Sequence, residues 1–187
     1  MDTLKLVIDE FISVNHYLAY RTVMKGKKPM AISYKTKETK DFQKKFEAYV
    51  AEEIKKQKWT VPVNSTQHFV VEATYYFPRI DMDSNNYWKV PLDSITNTQL
   101  IWEDDNVVCE RCVRILYDAK NPRIEWNIYP TEYTGIFDNK GELSIFKDKC
   151  NSCSRSKRNC SILKKAMEGR IQEEICGLKC SKFKQAK

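Results

Sequence analysis

The stretch HFVVEATYYFPRIDMDSNNYWKVPLD, residues 68–93, runs from an apolar segment through a proline into an acidic loop. Residues 67–77 are β-branched and aromatic, as a half-buried strand requires. Pro78 stops that strand, and RIDMDSNN (79–86) follows. A helix is predicted over much of 88–98. It opens close to Lys89, because Pro91 would sacrifice a backbone hydrogen bond anywhere beyond the first turn. Downstream, WEDDN leads into the strand VVCERCVRILYDA, the turn KNPR and the strand IEWNIYP. Upstream, residues 4–8 (LKLVI) read as a short strand and 13–34 as an irregular, basic, tyrosine-bearing segment. Phe42, Phe46, Tyr49, Val50 and Ile54 recur at helical spacing, which predicts a helix over 37–57. The order β, loop, α, β, α, β, β predicts an α+β class with a small mixed sheet and flanking helices over residues 1–130. Residues 131–149 read as a linker or small hairpin turning at DNKG. Residues 150–187 read as a basic, cysteine-rich, metal-binding extension.

With 187 residues, 42% of them hydrophobic and 12% aromatic, the chain can bury a core, which argues against wholesale disorder. No apolar run approaches the roughly 20 residues needed to span a bilayer, and the first residues lack the pattern of a secretory signal. Seven cysteines without such a signal point to thiols or metal ligands in a reducing compartment. The expectation is a cytoplasmic protein with no membrane partner. The net charge of +7 is unevenly spread. Residues 1–60 carry 13 basic and 8 acidic side chains, 61–145 carry 7 and 13, and 146–187 carry 12 and 4. Basic ends around an acidic centre suit a protein that attracts a polyanion and holds cations where its chemistry occurs.

The acidic centre has structure of its own. Asp81 and Asp83 are two apart, so in extended backbone both carboxylates project from one face. Like charges that close are costly unless a cation neutralises them. Glu103, Asp104 and Asp105 precede the next long strand, and neighbouring strands would bring Asp105 alongside Asp81 and Asp83. Hard carboxylate oxygens suit Mg²⁺, with Mn²⁺ as a substitute, rather than zinc. Such a site can activate water for phosphodiester hydrolysis.

Read as an ordered set, Asp81-x-Asp83, Asn86-x-x-Lys89, Asp93 and Asp104-Asp105 resemble the signature of the RusA-type Holliday junction resolvases. That signature runs approximately DxDNxxKxxxD, a short helix, then DD before a strand. Ser13-Val14-Asn15 after the first strand resembles the family's PSxN-like segment. Two residues, Ser84 and Asn85, lie between Asp83 and Asn86 where the family places Asn directly, so Asn85 and Asn86 both remain open for that role. The resemblance covers about residues 4–130 and implies a homodimeric, Mg²⁺-dependent endonuclease that nicks paired strands at four-way junctions. Carried over, Asp81, Asp83 and Asp105 are the metal ligands and Asp104 a secondary candidate. Lys89 stabilises the scissile phosphate, and Asp93, one helical turn on, holds Lys89 in place.

Asn15, Arg21, Lys25, Lys27, Lys28 and Lys89 are the expected DNA contacts, with Tyr17, Tyr20 and Tyr34 able to stack on bases or to pack. In the tail, Cys150-x-x-Cys153, Cys160, Cys176 and Cys180 offer five thiolates for the four places of a structural Zn²⁺ site. Cys150, Cys153, Cys160 and Cys180 are preferred and Cys176 is the alternate. A helix over 161–174, with Ile162, Ala166 and Ile171 as its apolar stripe, is predicted to join them. Cys109 and Cys112 lie three apart on a strand and so face opposite sides, which suits chelation poorly. The reading that follows is a Mg²⁺-dependent, structure-specific endodeoxyribonuclease that resolves Holliday junctions. Two alternatives stand beside it: a nuclease on flaps or forks, and a non-catalytic, zinc-containing DNA-binding protein.

Overall fold

The computed structural model describes residues 3–64 and 66–186, and the chain divides into two compact units, 1–131 and 132–187. The first is α+β. Its sheet has the order β1-β6-β4-β5, from β1 (Leu4–Ile8), β4 (His68–Phe77), β5 (Val108–Tyr117) and β6 (Arg123–Thr131). β6 runs antiparallel to both β1 and β4, while β5 runs parallel to β4, so the sheet is mixed as expected. Alternation sets its two faces. Phe69, Val71, Ala73, Tyr75 and Phe77 of β4 are buried with Ile124, Trp126 and Ile128 of β6 and with Leu4, Leu6 and Ile8 of β1. The opposite face is polar, with Tyr129 Oη donating to Glu72 at 2.8 Å and the Arg123 guanidinium 3.6 Å over the Tyr76 ring.

Two helices cover the apolar face. α2 (Lys37–Lys56) begins at Thr36, whose hydroxyl accepts the Thr39 N–H at 3.2 Å, and buries Phe42, Phe46 and Val50. Side chains from this helix also close the outer edge of β1. Gln57 Oε1 accepts the Lys5 N–H at 2.9 Å, Gln57 Nε2 donates to the Lys5 carbonyl at 2.7 Å, and Tyr49 Oη accepts the Val7 N–H at 2.9 Å. α3 (Lys89–Thr98) opens at the expected residue, with Pro91 inside the first turn, where its missing N–H costs nothing. It ends at Gln99, in left-handed conformation (φ 55°), whose amide donates to the Thr96 and Glu103 carbonyls. Trp102 then re-enters the core against Phe69, fully buried, its indole N–H donating to Thr96 Oγ1 at 2.8 Å.

Residues 13–34 depart from the irregular segment expected. After the short α1 (Val14–Tyr17), β2 (Leu18–Lys25) and β3 (Lys28–Lys35) pair antiparallel through the two-residue turn Gly26-Lys27. Gly26 takes φ +65°, which such a hairpin turn demands at its first central position. Eight paired residues on each side of so tight a turn outweigh the basic composition that suggested a loop.

In the second unit α4 (Lys140–Asn151) stands where a linker or small hairpin was expected over 131–149. Asn139 accepts the Glu142 N–H at 3.0 Å and Glu142 Oε2 accepts the Asp138 N–H at 3.1 Å, so the DNKG sequence starts a helix instead of turning a hairpin. The helix predicted over 161–174 is only α5 (Ile162–Met167). Gly169, at φ +79°, ends it, and a Cβ there would meet Tyr133 Oη at 1.9 Å. Ala166 is buried as expected, but Ile171 is 82% exposed. A two-stranded ribbon, β7 (Ile175–Cys176) with β8 (Lys179–Cys180), completes the unit.

Candidate active site

The loop after β4 is tied down by its own polar groups and by aromatic packing. Arg79 Nε pairs with Asp81 Oδ1 at 2.8 Å, both exposed. Asp83 Oδ1 accepts the Asn85 N–H at 3.0 Å and its carbonyl accepts the Asn86 N–H at 3.1 Å, starting a single 3₁₀ turn over Ser84–Tyr87. The Tyr87 ring packs on Phe11 and Phe77, and Trp88 stacks on Trp126, so α3 leaves this loop from a fixed point. Asp104 is engaged in the same way as Asp83. Its Oδ1 accepts the Asn106 N–H at 2.9 Å ahead of the turn Asp105–Val107 that enters β5.

Lys89 Nζ donates to Asp93 Oδ1 at 2.8 Å, the expected one-turn pair. The other Asp93 oxygen accepts Tyr17 Oη at 2.6 Å, and Lys35 Nζ lies 5.5 Å over the Tyr17 ring. The Asp93 hydrogen bond holds the Lys89 ammonium above its ordinary pKa, and the negative charges of Asp93, Asp105 and Glu110 add to that. Lys89 therefore stays cationic throughout the neutral range. Burial raises the Glu110 carboxyl, as does Asp105, while Lys89 pulls it back. The Tyr75 phenol is fully buried, and its Oη has no hydrogen-bond partner among the described residues. Burial raises its pKa, and Cys112, Glu110 and Asp83 act in the same direction.

Asp105, Lys89 and Glu110 thus act on one another, and Glu110 and Asp83 both act on Tyr75. Glu110 was missed in the sequence, where it reads as one more polar residue on a strand. The usable signal is its register, since it pairs with Val71, on the same face as Tyr75. The convergence expected of Asp81, Asp83 and Asp105 does not occur. Among the described residues, no three His, Cys, Asp or Glu side chains gather closely enough to hold a metal ion. β5 runs parallel to β4, so Asp105 stands beside the start of β4 whereas Asp81 and Asp83 follow its end. Asp81 is also drawn outward by Arg79. The donor set is chemically suited to a hard divalent cation, and the orphaned Tyr75 hydroxyl is a polar atom awaiting a partner. The carboxylates as they stand do not form a cage.

The expected DNA contacts fall on the β2–β3 hairpin and at its root. Residues 18–35 hold five basic and no acidic side chains: Arg21, Lys25, Lys27, Lys28 and Lys35. Asn15, in α1, is exposed, as are Arg21 and the three lysines at the tip. Tyr20 (72%) and Met24 (64%) are also open, and the Arg21 guanidinium lies 5.6 Å over Tyr34. The root is held where Thr36 Oγ1 donates to the His16 carbonyl at 3.0 Å and Tyr17 reaches Asp93. Cys109 and Cys112 pair with Val70 and Ala73, on opposite faces as expected.

In the second unit, Cys150, Cys153, Cys160 and Cys180 line one cavity, which Cys176 does not. No three of these thiols are gathered closely enough to hold an ion, so the metal-binding character expected of the extension is absent from the side chains as they stand.

The description Endodeoxyribonuclease RusA belongs to the family model that matches residues 19–129. The chain belongs to the RusA family. No curated protein matches it. RusA enzymes are endodeoxyribonucleases, hydrolases of DNA phosphodiester bonds that act on Holliday junctions. The RusA match takes in the acidic loop, α3, Glu110 and all but the first residue of the hairpin. The tail cysteines lie outside it.

Proposed function

We propose that this RusA-family enzyme resolves four-way DNA junctions by paired nicking as a homodimer, each copy contributing one site. The observation that carries this reading is the Lys89–Asp93–Tyr17 chain set beside Asp105 and Glu110 within the family match. Asp81, Asp83 and Asp105, which stand apart in the structure, are read as the carboxylates that would draw together around Mg²⁺, or Mn²⁺ in its place. When bound, the ion would polarise the scissile phosphate and lower the pKa of attacking water. Lys89, kept protonated by Asp93, faces the phosphate where negative charge develops. Asp93 is a positioning residue.

The β2–β3 hairpin is read as the DNA-contacting arm. A two-stranded ribbon fits the major groove, and the tip lysines neutralise phosphates whatever the base sequence. Asn15 and Arg21 extend that surface to the arm's root. A DNA substrate and seven cysteines support a cytoplasmic reading. The tail thiols take no part in this chemistry and are read as holding a structural Zn²⁺.

The test is cleavage of a labelled synthetic four-way junction with Mg²⁺, against linear duplex and EDTA controls. Symmetric paired nicks in the junction alone are expected. Equal cutting of flaps or forks would widen the substrate to branched DNA in general. Tight junction binding without cleavage in either metal would overturn the nuclease assignment of the site.

A further inference from the structure

The second unit has few means of holding itself together. Among its described residues the buried side chains are Phe137, Leu143, Phe146, Cys153 and Ala166, a small core for residues 132–187. Units with so little to bury usually need a staple. Against that background, the placement of the thiols is selective. Cys150 lies in the last turn of α4, Cys153 just beyond it, Cys160 precedes α5, and Cys180 is on β8. Cys150, Cys153 and Cys160 fall within eleven residues and Cys180 lies twenty residues further on, yet all four thiols line one cavity together with Phe146, Leu163 and Phe183. Cys176 is exposed on the neighbouring strand β7, paired with Lys179, and is not part of the wall.

The surroundings suit thiolates. Cys153 is buried, and its Sγ accepts the Lys184 N–H at 3.5 Å. That contact is secured by Ser154 N–H donating to the Lys184 carbonyl at 2.8 Å and Ala186 N–H to the Ser152 carbonyl at 2.9 Å. Such N–H···S bonds are the outer support that orients a metal-bound thiolate. Lys149, Arg155, Lys179 and Lys182 rim the cavity. Four thiolates around one Zn²⁺ leave a net charge of −2, which this rim offsets.

We infer that Cys150, Cys153, Cys160 and Cys180 are the tetrahedral ligands of one structural Zn²⁺, and that Cys176 is excluded. The cavity, ≈ 480 Å³, is far larger than an ion with four sulfurs requires, so the segments that line it draw inward when the metal binds. Coupling of that kind is usual for small metal modules, because ligand closure and folding are one step. Each thiol that ligates gives its proton to solvent, and no oxidant or reductant is involved. The site deepens the structural-zinc reading of the tail but is independent of the nuclease chemistry, since none of its ligands lies within the family match.

The experiment uses the full chain, stripped of metal and titrated with Zn²⁺ or Co²⁺ alone. One equivalent is expected, with Co²⁺ giving the intense visible bands of tetrahedral thiolate coordination. Under Zn²⁺, mass-resolved alkylation should leave Cys150, Cys153, Cys160 and Cys180 protected and label Cys109, Cys112 and Cys176. Cys176→Ser should keep the full equivalent, and Cys180→Ser should lose tetrahedral binding. Asp83→Asn should bind zinc as the wild type does even if it no longer cleaves DNA, which separates failure of the nuclease reading from failure of this one. No stoichiometric uptake, protection of Cys176 in place of Cys160, or an iron-containing purified protein would each overturn the assignment.

Discussion

The two units solve the same problem, holding a fold against chain entropy, by opposite means. The first packs one face of a four-stranded sheet against α2 and α3, with Trp102, Trp126, Tyr75 and Phe69 fully buried, and its stability comes from apolar area. The second has five buried side chains among its described residues, one of them Cys153, and short elements. The lesson concerns tolerance. A unit held by distributed packing loses stability in increments, whereas one held by the four proposed zinc ligands would fail when a single ligand is removed.

The largest effect is expected on chemistry rather than stability. Asp83→Asn and Asp105→Asn should each cut junction cleavage by at least about 10³-fold while leaving binding intact, comparable to removing a key transition-state contact. Asparagine keeps the capping oxygen that Asp83 offers Asn85, so melting temperature is the control and should barely move. Unchanged turnover in either variant would remove these carboxylates from the site. Next, Trp102→Ala should destabilise the first unit by about 3–5 kcal/mol, read by denaturant titration. Metal binding at the tail should survive it, and joint loss of both would show that the two units are not energetically separate.

Replacing Lys25, Lys27 and Lys28 together by Ala should weaken junction and duplex binding alike and lower the salt slope by about 1 per lysine. A loss confined to junctions would mean that the arm reads shape rather than charge. The smallest change is Thr36→Ala, which removes the α2 cap for about 1 kcal/mol of stability, measurable by chemical denaturation. A null result would show that the Thr36 bond to the His16 carbonyl is equally dispensable.

Much of the first unit was legible because its signals are local. The spacing of Phe42, Phe46 and Val50, the alternation of β4 and the position of Pro91 each specify one element with little help from the rest of the chain. The hairpin was less visible, because Lys25-Gly26-Lys27-Lys28 looks like solvated loop until the flanking eight-residue runs are paired in space. α4 was hidden for a related reason. A DNKG sequence serves either a turn or a helix cap, and the choice depends on where Leu143 and Phe146 are buried. At the site, Lys89 with Asp93 followed from one-turn spacing. Glu110 did not, because its relevance comes from a parallel strand register that nothing in its own neighbourhood encodes.

The edges of the sheet differ in a way that bears on assembly. Gln57 and Tyr49 occupy the Lys5 N–H and carbonyl and the Val7 N–H on the outer edge of β1, while among the described residues β5 has no strand on its outer side. A sheet with one closed and one open border has a valence of one. Edge-to-edge growth through this sheet, should it occur, ends at two copies, because the first pairing consumes the one open border the four-stranded sheet has among the described residues. A stopped edge therefore protects the fold from fibre formation and sets an upper limit on any assembly built through the sheet.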